Sequence, residues 1–290
     1  MDHPVVVYRT PALLGESPLW SPAEGVLYWI DLRKPALHRF DPVAGTDIEF
    51  SLPAEIGSIG LRKGGGLIAG LKTGFAWIDG TNGKTEMFHD PEADKADTRL
   101  NEGKVDRAGR FWCGSIQDPG FGPHGVLYRL DPDLSCTPME AGIGVPNGIA
   151  WSPDDRFMYF ADSVQRRIYR YRFDRSEGRI SDKTLFAQVP DGQGLPDGAA
   201  VDSEGYLWSA HMDGWKVSRY APDGTVVREI GFPVQRVTSL AFGGPNLDTL
   251  YVTTARTRLT EEQLAAQPLS GSLFAVNPGV RGLPEPEFAG

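Results

Sequence analysis

The sequence predicts an all-β fold, a six-bladed β-propeller of four-stranded blades, on three observations. Its 35 glycines and 23 prolines in 290 residues lie between short apolar runs and are not pooled in one tract, a pattern of many tight turns. One position, occupied by Glu16, Gly57, Asn101, Asn147, Asp197 and Thr238, recurs at intervals of 41, 44, 46, 50 and 41 residues. Four residues after each start the side chain is apolar: Trp20, Leu61, Val105, Trp151, Val201 and Phe242. A repeat of roughly 40–50 residues with four strands per unit is the period of a propeller blade.

The units follow in order. Val5 to Tyr8 is a β-branched run ahead of Pro11 and precedes the first unit. The first unit runs through Pro18-Leu19-Trp20, Val26 to Ile30, Leu37 to Phe40 and Asp47 to Phe50, with turn clusters such as Ser21 to Gly25 between them. The second has Gly66 to Gly70 and Phe75 to Asp79, the third Arg110 to Gly114 and Val126 to Asp131. The fourth has Phe157 to Phe160 and Ile168 to Tyr171, the fifth Tyr206 to Ser209 and Val217 to Tyr220. The sixth has Thr249 to Val252 and Ser272 to Val276 but no fourth strand of its own. Val5 to Tyr8 is therefore expected to complete the last blade and close the ring, which removes an exposed sheet edge. Six units nearly exhaust the chain, so residues 1–290 read as one domain. One helix is expected after Thr260, where Thr260 and Gln263 have capping-box spacing and Pro268 provides the stop. Two longer irregular segments, 89–98 and 117–125, flank the third unit, and loops of that length on a rigid scaffold often shape a site.

Composition narrows the function. A net charge of −9 with no Lys/Arg-rich run argues against a sequence-independent grip on nucleic acid or on anionic lipid. No run approaches the length of a membrane-spanning helix and no signal peptide is evident, so a cytoplasmic location is expected. Cys113 and Cys136 lack metal or pairing spacing and read as reduced structural thiols. Oligomeric state leaves no trace in the sequence, and a monomer is compatible with it. Motifs for a serine nucleophile elbow or a His-Glu-x-x-His metal site are missing. Gly64 to Ala69 fits a loose dinucleotide fingerprint but opens a strand where that fingerprint needs a helix. Asp106 to Gly109 and Asp223-Gly224 read as hairpin turns.

The repeated start position remains. The first strand of a blade is the innermost, so Glu16, Asn101, Asn147 and Asp197 bring oxygen donors toward one axis from four blades. Such a set suits a hard divalent cation, Ca²⁺ or Mg²⁺/Mn²⁺, whereas Asp and Asn taken singly cap turns before strands. Spacing alone leaves both readings open.

At this point the residues become specific. Leu14-Gly15-Glu16-Ser17-Pro18-Leu19-Trp20, Arg99 to Asp106, Pro146 to Trp151, Pro196-Asp197-Gly198, Phe242-Gly243-Gly244 and Leu250 to Arg256 occur in this order along nearly the whole chain. Together they resemble the senescence marker protein / gluconolactonase / luciferin-regenerating enzyme family, and most closely its bacterial sugar lactonases. The resemblance implies hydrolysis of a small-molecule sugar-acid lactone, of the gluconolactone, xylonolactone or arabinonolactone type. It implies one divalent cation held by Glu16, Asn147 and Asp197, with Ca²⁺ first and Zn²⁺, Mn²⁺, Mg²⁺ and Fe²⁺ as alternatives. Arg99 and Asn101 would contact substrate, and Asp197 would be the catalytic base or a ligand only. Eukaryotic members carry an acidic residue after the third blade's second strand, where this chain reads Ser115-Ile116-Gln117-Asp118-Pro119; Gln117 and Asp118 are candidate replacements. His211 to Trp215 also departs from the family pattern, and His211 is a candidate pocket residue. The competing expectations are a propeller hydrolase of aryl lactones or phosphotriesters, a calcium- or sugar-binding propeller without turnover, and an interaction scaffold.

Overall fold

Short apolar runs bounded by turn residues fold as strands in the computed structural model, which describes residues 3–290. After β1 (Val5–Tyr8), blade 1 is β2 (Gly15–Ser21), β3 (Val26–Asp31), β4 (Ala36–Asp41) and β5 (Thr46–Ser51). Blade 2 is β6 (Ile56–Arg62), β7 (Leu67–Leu71), β8 (Gly74–Ile78) and β9 (Thr85–His89), and blade 3 is β10 (Thr98–Val105), β11 (Phe111–Gln117), β12 (Gly125–Leu130) and β13 (Cys136–Ile143). Blade 4 is β14 (Pro146–Trp151), β15 (Phe157–Asp162), β16 (Arg167–Asp174) and β17 (Arg179–Gln188). Blade 5 is β18 (Leu195–Val201), β19 (Leu207–Met212), β20 (Lys216–Tyr220) and β21 (Val226–Gly231). Blade 6 is β22 (Val237–Gly243), β23 (Thr249–Thr254) and β24 (Leu273–Val276), with β1 as its outermost strand. The six-bladed all-β architecture and its closure by the N-terminal strand are thus as expected.

Closure rests on antiparallel pairing of Val5 with Ala275, Val6 with Phe274 and Tyr8 with Leu273. Between blades the core is apolar. Trp20, Leu27, Trp29 and Phe40 of blade 1 pack with Tyr251, Leu273 and Ala275 of blade 6. In blades 3 and 5 a buried aspartate anchors the hairpin: the carboxylates of Asp106 and Asp202 accept from the turn backbone and from the indole Nε1 of Trp112 and Trp208, each at 2.9 Å. Asp106 is therefore a turn residue, as its spacing suggested.

The inner strands share a device that the repeat only hinted at. Each of the six carries one extra residue against its partner, between Glu16 and Leu19, Ile56 and Ser58, Leu100 and Gly103, Asn147 and Ala150, Pro196 and Ala199, and Val237 and Ser239. A β-bulge kinks the strand and re-aims a side chain. Here it falls at or beside the recurring start position in every blade. In blade 4 the kink places Gly148 at φ 61°, in the left-handed region that glycine adopts without steric cost.

The C-terminal segment crosses one end of the channel. Gly282 bridges to Asp202, Glu285 and Pro286 share a cavity with Ser17, Glu102, Lys104 and Ser239, and β25 (Glu287–Phe288) adds to β6 in parallel. Phe288 is fully buried against Phe75, Phe111 and Leu130, which pins the segment. Helix α1 (Glu261–Ala266) has Thr260 and Gln263 in a reciprocal capping box. Cys113 and Cys136 are unpaired, and burial pushes the Cys113 thiol up to about 12. No helix among the described residues is long and apolar enough to cross a membrane.

Candidate active site

The end of the channel opposite the C-terminal segment holds a cavity of about 190 Å³, lined by Glu16, Arg99, Asn101, Asn147 and Asp197 together with Leu14, Phe121, Ser163, Met212 and Arg258. Five of the sequence-predicted site residues therefore meet in one place, each delivered by the bulged inner strand of its blade. The cavity opens outward into a vestibule of about 460 Å³ that also takes in Arg33, Asp213, Arg236 and Thr257.

A directed chain of hydrogen bonds fixes the amides. Arg99 can only donate, so its Nη1 sets Asn101 Oδ1 as the acceptor at 2.8 Å. Asn101 Nδ2 then faces Pro146 O at 2.9 Å and Asn147 Oδ1 at 3.1 Å. Asn147 in turn donates through Nδ2 to Ser163 Oγ at 2.8 Å, and Ser163 donates to Pro196 O at 2.5 Å. Both ends of the Asn101 amide are thereby used. Asn147 Oδ1 keeps an unused lone pair on the cavity side.

Three carboxylates surround the neck of the channel, Asp197 buried and Glu16 and Glu102 partly exposed. Burial, reinforced by Glu102, pushes the Glu16 carboxyl up to about 8. Asp197 is raised well above its ordinary value, first by burial and then by Glu16 and Glu102. Glu102, absent from the residues singled out in the sequence, is raised to about 7 by burial although Gly148 N (2.8 Å) and Ile149 N (3.0 Å) donate to it. Neither Glu16 nor Asp197 has a salt-bridge partner among the described residues. Buried carboxylates without a counter-cation are costly. Among the described residues no three His, Cys, Asp or Glu side chains stand at metal-binding distance of one another. The donors facing the cavity are instead two carboxylates and an amide oxygen, a hard all-oxygen set that fits Ca²⁺ or Mg²⁺ far better than a structural Zn²⁺.

Arg99 is buried and held by Asp118: Nε donates to Oδ2 at 2.7 Å, while Arg33 Nη2 donates to the same oxygen at 2.5 Å. Burial alone would raise the Asp118 carboxyl, but the two guanidiniums outweigh it and hold the group below its ordinary range. The other terminal nitrogen of Arg99, Nη2, has no hydrogen-bond partner among the described residues. Asp118 thus sits behind Arg99 and is not on the cavity wall. Gln117 is also off the wall, where its Nε2 donates to Asp97 at 2.8 Å. His211 lies one residue out of phase with Met212, which does line the cavity; its ring is buried between Gln193 O (3.0 Å) and the Tyr220 hydroxyl (3.2 Å). Burial lowers its pKa to about 4. Ser163, Phe121 and Arg258 are cavity residues without a repeat signal, although the irregular segment 117–125 that carries Phe121 stood out by its length.

The chain is similar to several known proteins over nearly its whole length. A 6-deoxy-6-sulfogluconolactonase from Pseudomonas putida is 41% identical over 285 residues, covering 98% of each chain. The pentonolactonase XacC of Haloferax volcanii is 37% identical over 288 residues, covering 96% of each chain. Among solved structures, a calcium-binding protein, regucalcin, from Agrobacterium tumefaciens superposes with a TM-score of 0.94 at 28% identity, over 98% of this chain and 96% of that one. Residues 14–256 match the family model described as "SMP-30/Gluconolactonase/LRE-like region". With the inner-strand site at its centre, this chain belongs to the SMP-30/gluconolactonase/LRE-like family.

Proposed function

We propose that this protein hydrolyses the lactone of a sugar acid to the open aldonic acid, in the cavity bounded by Glu16, Arg99, Asn101, Asn147 and Asp197. The relatives named for a sulfonated gluconolactone and for pentonolactones share the lactone and differ in the rest of the sugar. The observation that carries the reading is the meeting of two carboxylates without a salt-bridge partner among the described residues, Glu16 and Asp197, with a guanidinium whose Nη2 is free, in one small cavity.

Glu16, Asn147 and Asp197 would hold one divalent cation, Ca²⁺ in the first place. When bound, it would supply Lewis-acid stabilisation of the charge that develops on the lactone oxygens. The protein's own groups do the rest. Arg99, fixed by Asp118, orients the substrate through its remaining donors. Asn101 holds the Asn147 amide so that its oxygen faces the cavity. Asp197, raised by burial, accepts a proton from the attacking water. The water oxygen bonds to the lactone carbonyl carbon, the ring C–O bond breaks, and the ring oxygen leaves as a hydroxyl with a proton returned to it.

The test is pH-stat hydrolysis of an aldonolactone panel, with a paraoxon-type ester and an aryl lactone as controls. It is run on chelated protein and again with each divalent metal added back. Loss of lactone turnover on chelation and its rescue by metal are expected. Turnover unaffected by chelation would remove the cation from the reading, and no lactone turnover under any metal would leave a binding propeller. Asp197→Asn can still ligate but cannot take a proton, so metal binding retained with turnover lost supports the base role, and near-normal turnover excludes it.

A further inference from the structure

The vestibule outside the cavity is cationic in a chain whose net charge is −9. Its charged lining residues are Arg33, Arg99, Arg236 and Arg258 against Asp213 alone. Three of these arginines are already neutralised within the protein. Arg33 pairs with Glu55 and Asp118, Arg99 with Asp118, and Arg236 with Asp213. Arg258 differs from the other three. It forms no salt bridge among the described residues, and its guanidinium carbon lies 5.0 Å from the centroid of the Phe121 ring. It lines both the inner cavity and the vestibule, so it stands where the two join.

The backbone around this pair is unusual. Arg258 has φ 59° and Phe121 has φ 53°, left-handed conformations that are strained for a residue with a side chain. Arg258 comes from the segment between β23 and α1 in blade 6, and Phe121 from the loop after β11 in blade 3, so two blades reach across the mouth to meet. A guanidinium held over an aromatic ring still has its fork of N–H donors to offer, and that fork receives an oxyanion.

We infer that Arg258 reads an anionic group on the substrate: the lactone this protein takes carries a sulfonate, phosphate or carboxylate at the end remote from the lactone carbonyl. This inference rests on the proposed lactonase reading. The lactone would sit in the inner cavity beside Arg99 and Asp197 while the charged end projects past Phe121 into the vestibule. The three anions share oxygens that accept charge-assisted hydrogen bonds from Arg258, and their different shapes allow the assay to separate them. Arg258 takes no part in bond breaking; it is a specificity residue.

The experiment measures kcat/KM for neutral glucono-δ-lactone and for hexonolactones bearing a 6-sulfonate, a 6-phosphate or a 6-carboxylate, on the metal-loaded full chain, for the wild type, Arg258→Ala and Arg258→Lys. The readout is the ratio of anionic to neutral substrate, in which a general loss of active protein cancels. The wild type is expected to favour at least one anionic lactone by about tenfold or more. Arg258→Ala should bring the ratio near unity mainly through KM, and Arg258→Lys should keep part of it. The preferred anion identifies the group. A wild type that cleaves neutral lactones with no anionic preference, or an Arg258→Ala protein that keeps the preference, overturns this inference and leaves the lactonase reading standing. Failure to cleave any lactone overturns both.

Discussion

Replacing Asp118 by asparagine separates the positioning of Arg99 from the chemistry at the cavity. Asp118 Oδ2 receives Arg99 Nε and Arg33 Nη2, and the side chains of Arg99 and Asp118 are 5% and 10% exposed. Removing one partner of a buried pair strands the other charge, at a cost of roughly 3–5 kcal/mol. The lower end applies here, because Arg33 is 27% exposed and keeps Glu55, and Arg99 keeps Leu100 O and Asn101 Oδ1. An unfolding entropy of about 2.1 cal/mol/K per residue over 290 residues is about 0.6 kcal/mol/K, so about 3 kcal/mol lowers Tm by about 5 °C. The freed guanidinium also loses its fixed direction, and misplacement of a binding group by an ångström costs up to about a hundredfold. Asp118→Asn is therefore expected to lower kcat/KM for an aldonolactone by about ten- to hundredfold. Calorimetry and steady-state kinetics read the two effects. A Tm within about 1 °C of wild type together with an unchanged kcat/KM would refute the positioning argument.

Two further outcomes follow from the same geometry. Deleting residues 1–9 removes the half-buried Val6, Val7 and Tyr8 and the hydrogen bonds of β1 to β24, about 5 kcal/mol in all or roughly 8 °C in Tm; an unchanged melt would sink the closure role. His211, lowered from 6.5 to about 4, is neutral in the fold and protonates more readily in the unfolded chain, so its contribution is present above pH 6.5 and is lost as pH falls toward 4. Between pH 7 and 5 that loss is about 2 kcal/mol, so the Tm advantage of wild type over His211→Asn should shrink by about 3 °C; a pH-independent difference would contradict it.

What was legible in the sequence was whatever repeats. Glu16, Asn101, Asn147 and Asp197 stood out because one inner-strand position recurs, and the bulge that makes it useful lies at or beside that position in all six blades. The contributions that do not repeat were hidden. Glu102 follows directly on Asn101, yet the kinked strand sends it to the opposite cavity beside Lys104 and Glu285. The role of Asp118 depends on Arg33, which is 85 residues away in the chain. His211 and Met212 are adjacent, and strand alternation alone decides that Met212 meets the cavity while His211 faces Tyr220. Phe121 and Arg258 lie in turns, where no periodicity announces them.

The pairing of β1 with β24 also governs how the chain can be made. Val5 and Ala275 meet across the closure yet are 270 residues apart in the chain. At a synthesis rate of about 5–20 residues per second, the first strand waits for its partner for between roughly a quarter of a minute and a minute. Throughout that interval Trp20, Leu27 and Phe40 lack the cover that Tyr251, Leu273 and Ala275 later provide. The apolar flank of blade 1 is thus the surface that a nascent chain offers to chaperones or to other nascent chains. Slower growth or a lower temperature during expression should act there, before the ring exists.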